Sequence, residues 1–393
     1  MASGDSKSDA KKTALSSGLL PAGLQDVLYP NAENDAKASE IIMNCLASFG
    51  YRRVQPPLVE FEDSLLSDKL GAALSDKTFR LLDPLSHKMM ALRADMTAQI
   101  ARISGTRLAH SPRPLRLSYA GAVMRVVPDV LNPERQMMQA GAELIGASDA
   151  LACAEMISLG VRALNEAGIE GLTVDIGIPH LFDVLVGGDE DSALYQSLAQ
   201  AISERDSDAL LAIEHKSAPL LNRLLLAAGQ NVEELMTVCQ DMTGEALQLT
   251  QTILSVVEML HQIWPDLPIT LDLLDRREGD YHKGLNFALY GKGLRGEIAR
   301  GGAYVTGFGE EATGLSIYME RVLRALPAAP NAPRIYVSAK AGLITAMALV
   351  SRGRDVVMGS ADCDEDSEAK ALGCEFIVRE KEGMPEALSS DKA

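Results

Sequence analysis

Residues 114–146, PLRLSYAGAVMRVVPDVLNPERQMMQAGAELIG, constrain the fold more than any other stretch of the chain. The first half alternates. Leu115, Leu117, Tyr119, Val123 and Arg125 share one parity, which in a strand places them on one face. Pro128, Asp129, Asn132 and Pro133 then interrupt the alternation with turn chemistry. It resumes through Arg135, Met137, Gln139, Gly141 and Glu143. Two antiparallel strands joined by a longish loop are therefore predicted. One face of the second strand presents a cation, an amide and a carboxylate, with a glycine opening space between the last two. Such a face suits a small polar molecule with cationic nitrogens. It equally suits the wet side of an ordinary antiparallel sheet.

The chain of 393 residues is long enough for two domains, and its 47% hydrophobic content is that of a globular protein. A formal net charge of −17 argues against a broad phosphate-binding surface, so nucleic acid is not an expected partner. Five cysteines, Cys45, Cys153, Cys239, Cys363 and Cys374, are scattered and form no CxxC pair, which reads as free thiols in a reducing compartment. Met1 to Ser17 is small and polar without an apolar stretch, a loose tail with no signal-peptide character. No apolar run is long enough to span a bilayer. The expected location is the cytoplasm.

Ala32 to Phe49 has helical spacing, with Ile41, Ile42, Cys45, Leu46 and Phe49 as its apolar stripe and Gly50 as its stop. Tyr51 to Val54, Thr78 to Leu82 and Met89 to Leu92 read as strands, the last two around a turn at Asp83-Pro84. Asp95 is placed to cap a helix over Met96 to Ile103. An amphipathic helix follows the hairpin from Asp149 to Ala167, then a strand from Leu172 to Gly177. From Ser192 to Ile263 the chain turns Leu-, Ala-, Glu- and Gln-rich at helical spacing, which predicts four or five inserted helices. His180, His215 and His261 lie apart with no ligand spacing, so no metal site is expected. Thr270 to Leu274 returns to strand. Gly291 to Gly296 formally matches GxGxxG but opens no helix, so it reads as a hairpin turn. A proline-rich linker from Leu326 to Pro333 precedes three strand-like runs, 334–338, 355–358 and 375–378, in a βαβαβ pattern. The predicted organisation is a tail over 1–18, a large domain over 19–326 with its helical insertion at about 190–265, and a small α/β domain over 334–393.

Several of these blocks, in this order, resemble class II aminoacyl-tRNA synthetases and specifically histidyl-tRNA synthetases. The likeness runs from Leu20 to about Leu326. LPAGLQD at 20–26 resembles the LPxGxxD opening of that family, and the helix and strand through Glu60 resemble motif 1, which implies a self-dimer through the core. The hairpin resembles motif 2, with Arg125, Gln139 and Glu143 at the family's positions, which implies Glu143 and Gln139 for the imidazole of a bound histidine. LRADMT at 92–97 resembles LRPExT, so Asp95 and Thr97 are implied to receive an amino acid's ammonium. DRREGDYHKG at 275–284 resembles the histidine-specific RGLDYYxG block, which implies Arg277 for the carboxylate, Tyr281 at the first tyrosine and His282 in place of the second. Tyr304 follows a remnant of GGRYD and is implied to line an imidazole pocket. GLSIYMERVLRAL at 314–326 resembles the motif 3 helix, with Arg321 at the class II arginine; on its own, Glu320-Arg321 reads as an exposed pair. The fold so implied is α+β, an antiparallel sheet flanked by helices, and the last domain resembles a cut-down anticodon-binding domain.

The nucleotide side departs from the enzymes. Their motif 2 reads Arg-x-Glu, and here the third position is Val127. The loop after it gains Asp129 and Glu134, leaving Arg135 as the cation for a phosphate. A chain that keeps the amino-acid residues and loses the nucleotide ones resembles the synthetase paralogues that serve as regulatory subunits of ATP phosphoribosyltransferase. The resemblance implies a non-catalytic subunit without cofactor, a short-form catalytic subunit as partner in a hetero-octamer, and histidine as feedback effector. A divergent histidyl-tRNA synthetase is the alternative, and a synthetase-like RNA-binding protein a third reading.

Overall fold

The structure, a computed structural model, describes residues 18–67, 69–128, 133–188, 191–229, 232–275, 282–326, 333–381 and 383–388. Its first helix, α1 (Asn31–Ser48), buries Ala38, Ile42, Met43, Cys45 and Leu46. The predicted stripe is only partly right, because Ile41 and Phe49 are exposed. Ile41 lies off the line set by 38, 42, 45 and 46, and Phe49 follows the last helical residue and lies beneath the Arg162 guanidinium.

Strand β1 (Arg52–Arg53) runs parallel to a later strand of the main sheet. β2 (Val59–Phe61), β3 (Arg80–Leu82) and β4 (Met89–Leu92) form a separate small sheet in the order β2-β4-β3. Helix α2 (Thr97–Gly105) follows, and then the predicted hairpin, β5 (Leu115–Met124) and β6 (Gln136–Ile145). Helix α3 (Ala150–Glu166) is capped by Asp149, whose carboxylate accepts from Ala152 N at 2.9 Å. After β7 (Thr173–Gly177) come α4 (Pro179–Val186) and five inserted helices, α5 (Ala193–Ser203), α6 (Ser207–Ala212), α7 (Ala218–Ala227), α8 (Val232–Cys239) and α9 (Gly244–Ile263). β8 (Ile269–Leu271), β9 (His282–Tyr290), β10 (Ala299–Val305) and β11 (Glu311–Tyr318) complete the main sheet, and α10 (Met319–Ala325) follows.

The main sheet has the order β1-β5-β6-β11-β10-β9-β7-β8, antiparallel through its middle and parallel only at the two outer pairs. The fold is thus α+β, with a continuous core in which α1, α3 and the inserted helices cover one face of the sheet. Gly160 of α3 permits the approach, since a Cβ there would lie 2.7 Å from Leu289 Cδ1. The stretch read as a motif 3 helix from Gly314 is strand as far as Tyr318, and only its second half is helical. Ala312 to Tyr318 is buried throughout between β6 and β10, and a strand covered on both sides loses the alternation that would mark it.

A second compact unit begins after Leu326. Its strands β12 (Arg334–Val337), β13 (Asp355–Met358) and β14 (Phe376–Val378) are parallel, and β15 (Glu386–Ala387) is antiparallel, in the order β13-β12-β14-β15. Helices α11 (Gly342–Val350) and α12 (Glu365–Ala371) connect the parallel strands. All five cysteines are free thiols. Among the described residues no helix is long and apolar enough to cross a membrane, and no group of His, Cys, Asp or Glu could hold a metal.

A candidate amino-acid site on the main sheet

The register of the hairpin builds the site. Tyr119 of β5 lies opposite Gly141 of β6, and Gly121 lies opposite Gln139. A Cβ on Gly141 would lie 2.5 Å from the Tyr119 hydroxyl, so the glycine is needed to let that ring cross the strand. The space read from sequence as open beside Gly141 is therefore filled. On the next strand, Gly314 of β11 pairs with Glu143 and also with Gly302 of β10. A side chain at Gly314 would overlap the Glu143 carboxylate.

Glu143 is fully buried, and both of its oxygens accept hydrogen bonds. Tyr304 Oη donates to Oε2 at 2.8 Å, and Tyr119 Oη to Oε1 at 3.2 Å. Burial pushes its pKa up to about 8, against the pull of the Tyr304, Thr97 and Tyr119 hydroxyls and with a smaller push from the Asp95 charge. Tyr119 is linked onward to Ser316 Oγ at 3.2 Å and to Thr97 Oγ1 at 3.4 Å. Its own pKa is driven well up, by burial first and then by Glu143.

Asp95 was expected at the N-cap of α2, but that position is Met96, and Asp95 meets the helix from just outside it. Oδ1 accepts from Thr97 N at 2.7 Å at the start of α2, and Oδ2 accepts from Gln139 Nε2 at 2.9 Å. Each oxygen retains a lone pair for a further donor. Gln139 is buried and fully engaged: Met96 N donates to its Oε1 at 3.1 Å, and its Nε2 also donates to Ser316 Oγ at 2.8 Å. It aims Asp95, and does not itself line the cavity. Arg125 does line it, with Nε donating to Ala94 O at 3.3 Å.

These groups surround a cavity of about 770 Å³, open solvent included. Of the residues singled out from sequence, Asp95, Thr97, Arg125, Glu143 and Tyr304 are on its wall, and Gln139 stands behind it. Arg277 and Tyr281 lie outside the described residues, as does the side chain of His282, whose backbone opens β9. Lys77, Arg300 and Ser316, which also line the cavity, and Tyr119 behind it were missed. Tyr119 was legible only as a buried strand residue until the register set it against Gly141.

The neighbouring recess shares Lys77, Arg125, Arg300 and Tyr318 with this cavity and is walled by Val127, Glu320 and Arg321. Arg321 and Glu320 are not the exposed pair that their spacing suggested. Both side chains are largely buried; Arg321 donates to Glu297 O and lies over the Tyr318 ring at 4.8 Å, and burial raises the Glu320 pKa. Arg135, the cation expected to meet a phosphate, is not on the wall of this recess. Its guanidinium lies over Phe79 at 4.6 Å and donates to Arg125 O and Ala22 O, both at 3.3 Å.

The sequence profile of the histidyl-tRNA synthetase family matches residues 23–322. An ATP phosphoribosyltransferase regulatory subunit from Paramagnetospirillum magneticum is 43% identical over 359 residues, covering 91% of this chain and 94% of the relative. One from Rhodospirillum centenum is 39% identical, again over 91% and 94%. The chain belongs to the ATP phosphoribosyltransferase regulatory subunit family. Among solved structures, one described as an ATP phosphoribosyltransferase regulatory subunit/histidyl-tRNA synthetase from Bacillus halodurans has a TM-score of 0.80 at 23% identity, covering 93% of this chain and 98% of that one. The histidyl-tRNA synthetase of Nostoc sp. has a TM-score of 0.73 at 16% identity, over 92% and 90%. These two likenesses establish the class II synthetase fold, and the regulatory-subunit relatives place the family within it.

Proposed function

We propose that this chain is a non-catalytic regulatory subunit that binds histidine in the main-sheet cavity and passes that signal to an ATP phosphoribosyltransferase catalytic subunit. The observation that carries this reading is the pairing of two carboxyls of unlike character on one wall. Asp95 is half-buried and keeps lone pairs for an ammonium, while Glu143 is sealed beneath two tyrosine hydroxyls where a ring nitrogen can meet it. In this assignment Asp95 and Thr97 take the amino group and Glu143 the imidazole. Arg277 and Arg125 take the carboxylate, with Arg300 beside them, and Tyr281, His282 and Tyr304 enclose the ring. Gln139 acts by aiming Asp95.

The second recess supports the non-catalytic part of the proposal. The cation expected to grip a phosphate is stacked on Phe79, and Val127 offers an adenine amino group no acceptor. The family's name supports a phosphoribosyltransferase partner, and the proposed assembly is a hetero-octamer around a self-dimer of the synthetase-like unit. Histidine binding would favour a less active arrangement of that assembly, with a coupling of about 1–3 kcal/mol. Calorimetric titration of the purified chain with L-histidine tests the pocket, with saturable binding expected below millimolar concentrations. In the reconstituted complex, Glu143→Ala should abolish feedback while basal activation of the partner persists. Feedback that survives in this variant, or histidine-dependent ATP–pyrophosphate exchange by the chain alone, would overturn the reading.

A further inference from the structure

A buried chain of hydrogen bonds joins the two carboxyls of the cavity, and each link has a direction. The Gln139 amide is fixed at both ends, because Met96 N donates to its Oε1 and its Nε2 donates to Asp95 Oδ2. The second Nε2 hydrogen goes to Ser316 Oγ at 2.8 Å. Ser316 therefore has its own hydrogen for Tyr119 Oη at 3.2 Å, and Tyr119 has its hydrogen for Glu143 Oε1. Tyr304 donates to Oε2. Strand register lays this path out: Tyr119, Gly141 and Ser316 form one row across β5, β6 and β11, with Gln139 and Glu143 two residues to either side on β6.

Glu143 is faced by Tyr119 from β5, Tyr304 from β10, and Asp95 and Thr97 from the start of α2. Gly314 of β11 covers it without a side chain, and Tyr51, before β1, feels its charge from a distance. Lys77, Arg125 and Arg300 are the cations of the same cavity wall. Both tyrosines donate to Glu143, so a ring nitrogen must meet it at a lone pair or proton that they leave over.

We propose that Glu143 and the imidazole of bound histidine hold one titrating proton between them, and that Ser316 is the positioning residue that keeps the Tyr119 hydroxyl turned towards Glu143. This rests on the reading of the cavity as a histidine site. Glu143 is fully buried, and with one shared proton the pair is neutral whichever partner carries it. Losing that proton would bury a lone carboxylate, and gaining a second would bury a lone imidazolium. Before binding, Glu143 keeps its proton up to about pH 8, and free imidazole releases its own above about pH 6.5. Affinity is therefore greatest between these values and falls up to about tenfold per pH unit on either side.

Calorimetric titration of the full-length chain with L-histidine, in two buffers of different ionisation enthalpy, counts the protons exchanged. About 0.9 of a proton should be released at pH 5.5, almost none exchanged at pH 7.2, and about 0.8 taken up at pH 8.5. The ligand's amino group adds to the uptake at high pH; Glu143→Gln leaves that part and should remove the rest. Ser316→Ala should move the upper limb to higher pH by about half a unit, and Ser316→Thr, which keeps the hydroxyl, should restore it. A complex holding no proton would release at every pH, and one holding two would take up at every pH. A count of one sign throughout, or an uptake undiminished in Glu143→Gln, would thus refute the shared proton, and an unmoved limb in Ser316→Ala would refute the positioning role. Absence of binding at every pH would instead sink the site assignment, and this inference with it.

Discussion

Replacing Glu143 by Gln isolates the cost of burying an ionisable group beneath the Tyr119 and Tyr304 hydroxyls. The folded state holds the Glu143 proton up to about pH 8. In the unfolded chain the same carboxyl loses its proton near its ordinary value of about 4.3. Between these limits the folded state binds the extra proton, so the stability contribution is full below pH 4 and declines as pH rises through 8. Linkage puts the penalty at about 1 kcal/mol at pH 5 and about 4 kcal/mol at pH 7. Glutamine keeps the shape and has no titration. Its fixed offset, from rearranging the Tyr119 and Tyr304 hydroxyl bonds, is the same at every pH. The stability difference between Glu143→Gln and wild type should therefore move by about 2–3 kcal/mol in favour of the variant between pH 5 and pH 7. Paired urea titrations at three pH values measure this directly. A difference that stays constant to within about 0.5 kcal/mol, a small surface-like effect, would show that Glu143 is ionised throughout and that burial does not control it.

Three further substitutions probe the same region. Tyr119→Phe removes the hydroxyl that bonds Glu143 and Ser316; it should cost about 1 kcal/mol and move the Glu143 transition to higher pH, read by the same titrations. Gly314→Ala drives a methyl into the Glu143 carboxylate, so histidine binding by calorimetry should fall at least about tenfold, with a stability loss of about 1–3 kcal/mol by thermal melting. Arg93→Met strips buried hydrogen bonds from Ala122 O, Pro56 O and Gln99 Oε1, and should lower stability by about 3 kcal/mol or more at an unchanged fold by circular dichroism.

How much of this was visible beforehand divides along a physical line. α3 and the five inserted helices were legible because apolar residues recur in them at helical spacing, and the hairpin because polar residues alternate along it even though β6 is buried almost throughout. β11 was not, because burial on both sides erases the contrast, and its first residues passed for helix. The site shows the same division at the scale of side chains. Glu143, Asp95 and Tyr304 were found because their types and spacing match a family. Gln139 was found but assigned to the ligand, since sequence gives a residue's face and not what stands in front of it. Tyr119, Ser316 and Gly314 depend on which residue of one strand meets which residue of the next. That register is fixed by a loop whose length in residues does not reveal its path. The same limit applies to Arg135. Its charge and position suggested a phosphate ligand, and only the structure shows its guanidinium lying over the Phe79 ring. What a cation meets on a neighbouring segment, here the ring of Phe79, is a tertiary fact that its own place in the sequence does not carry.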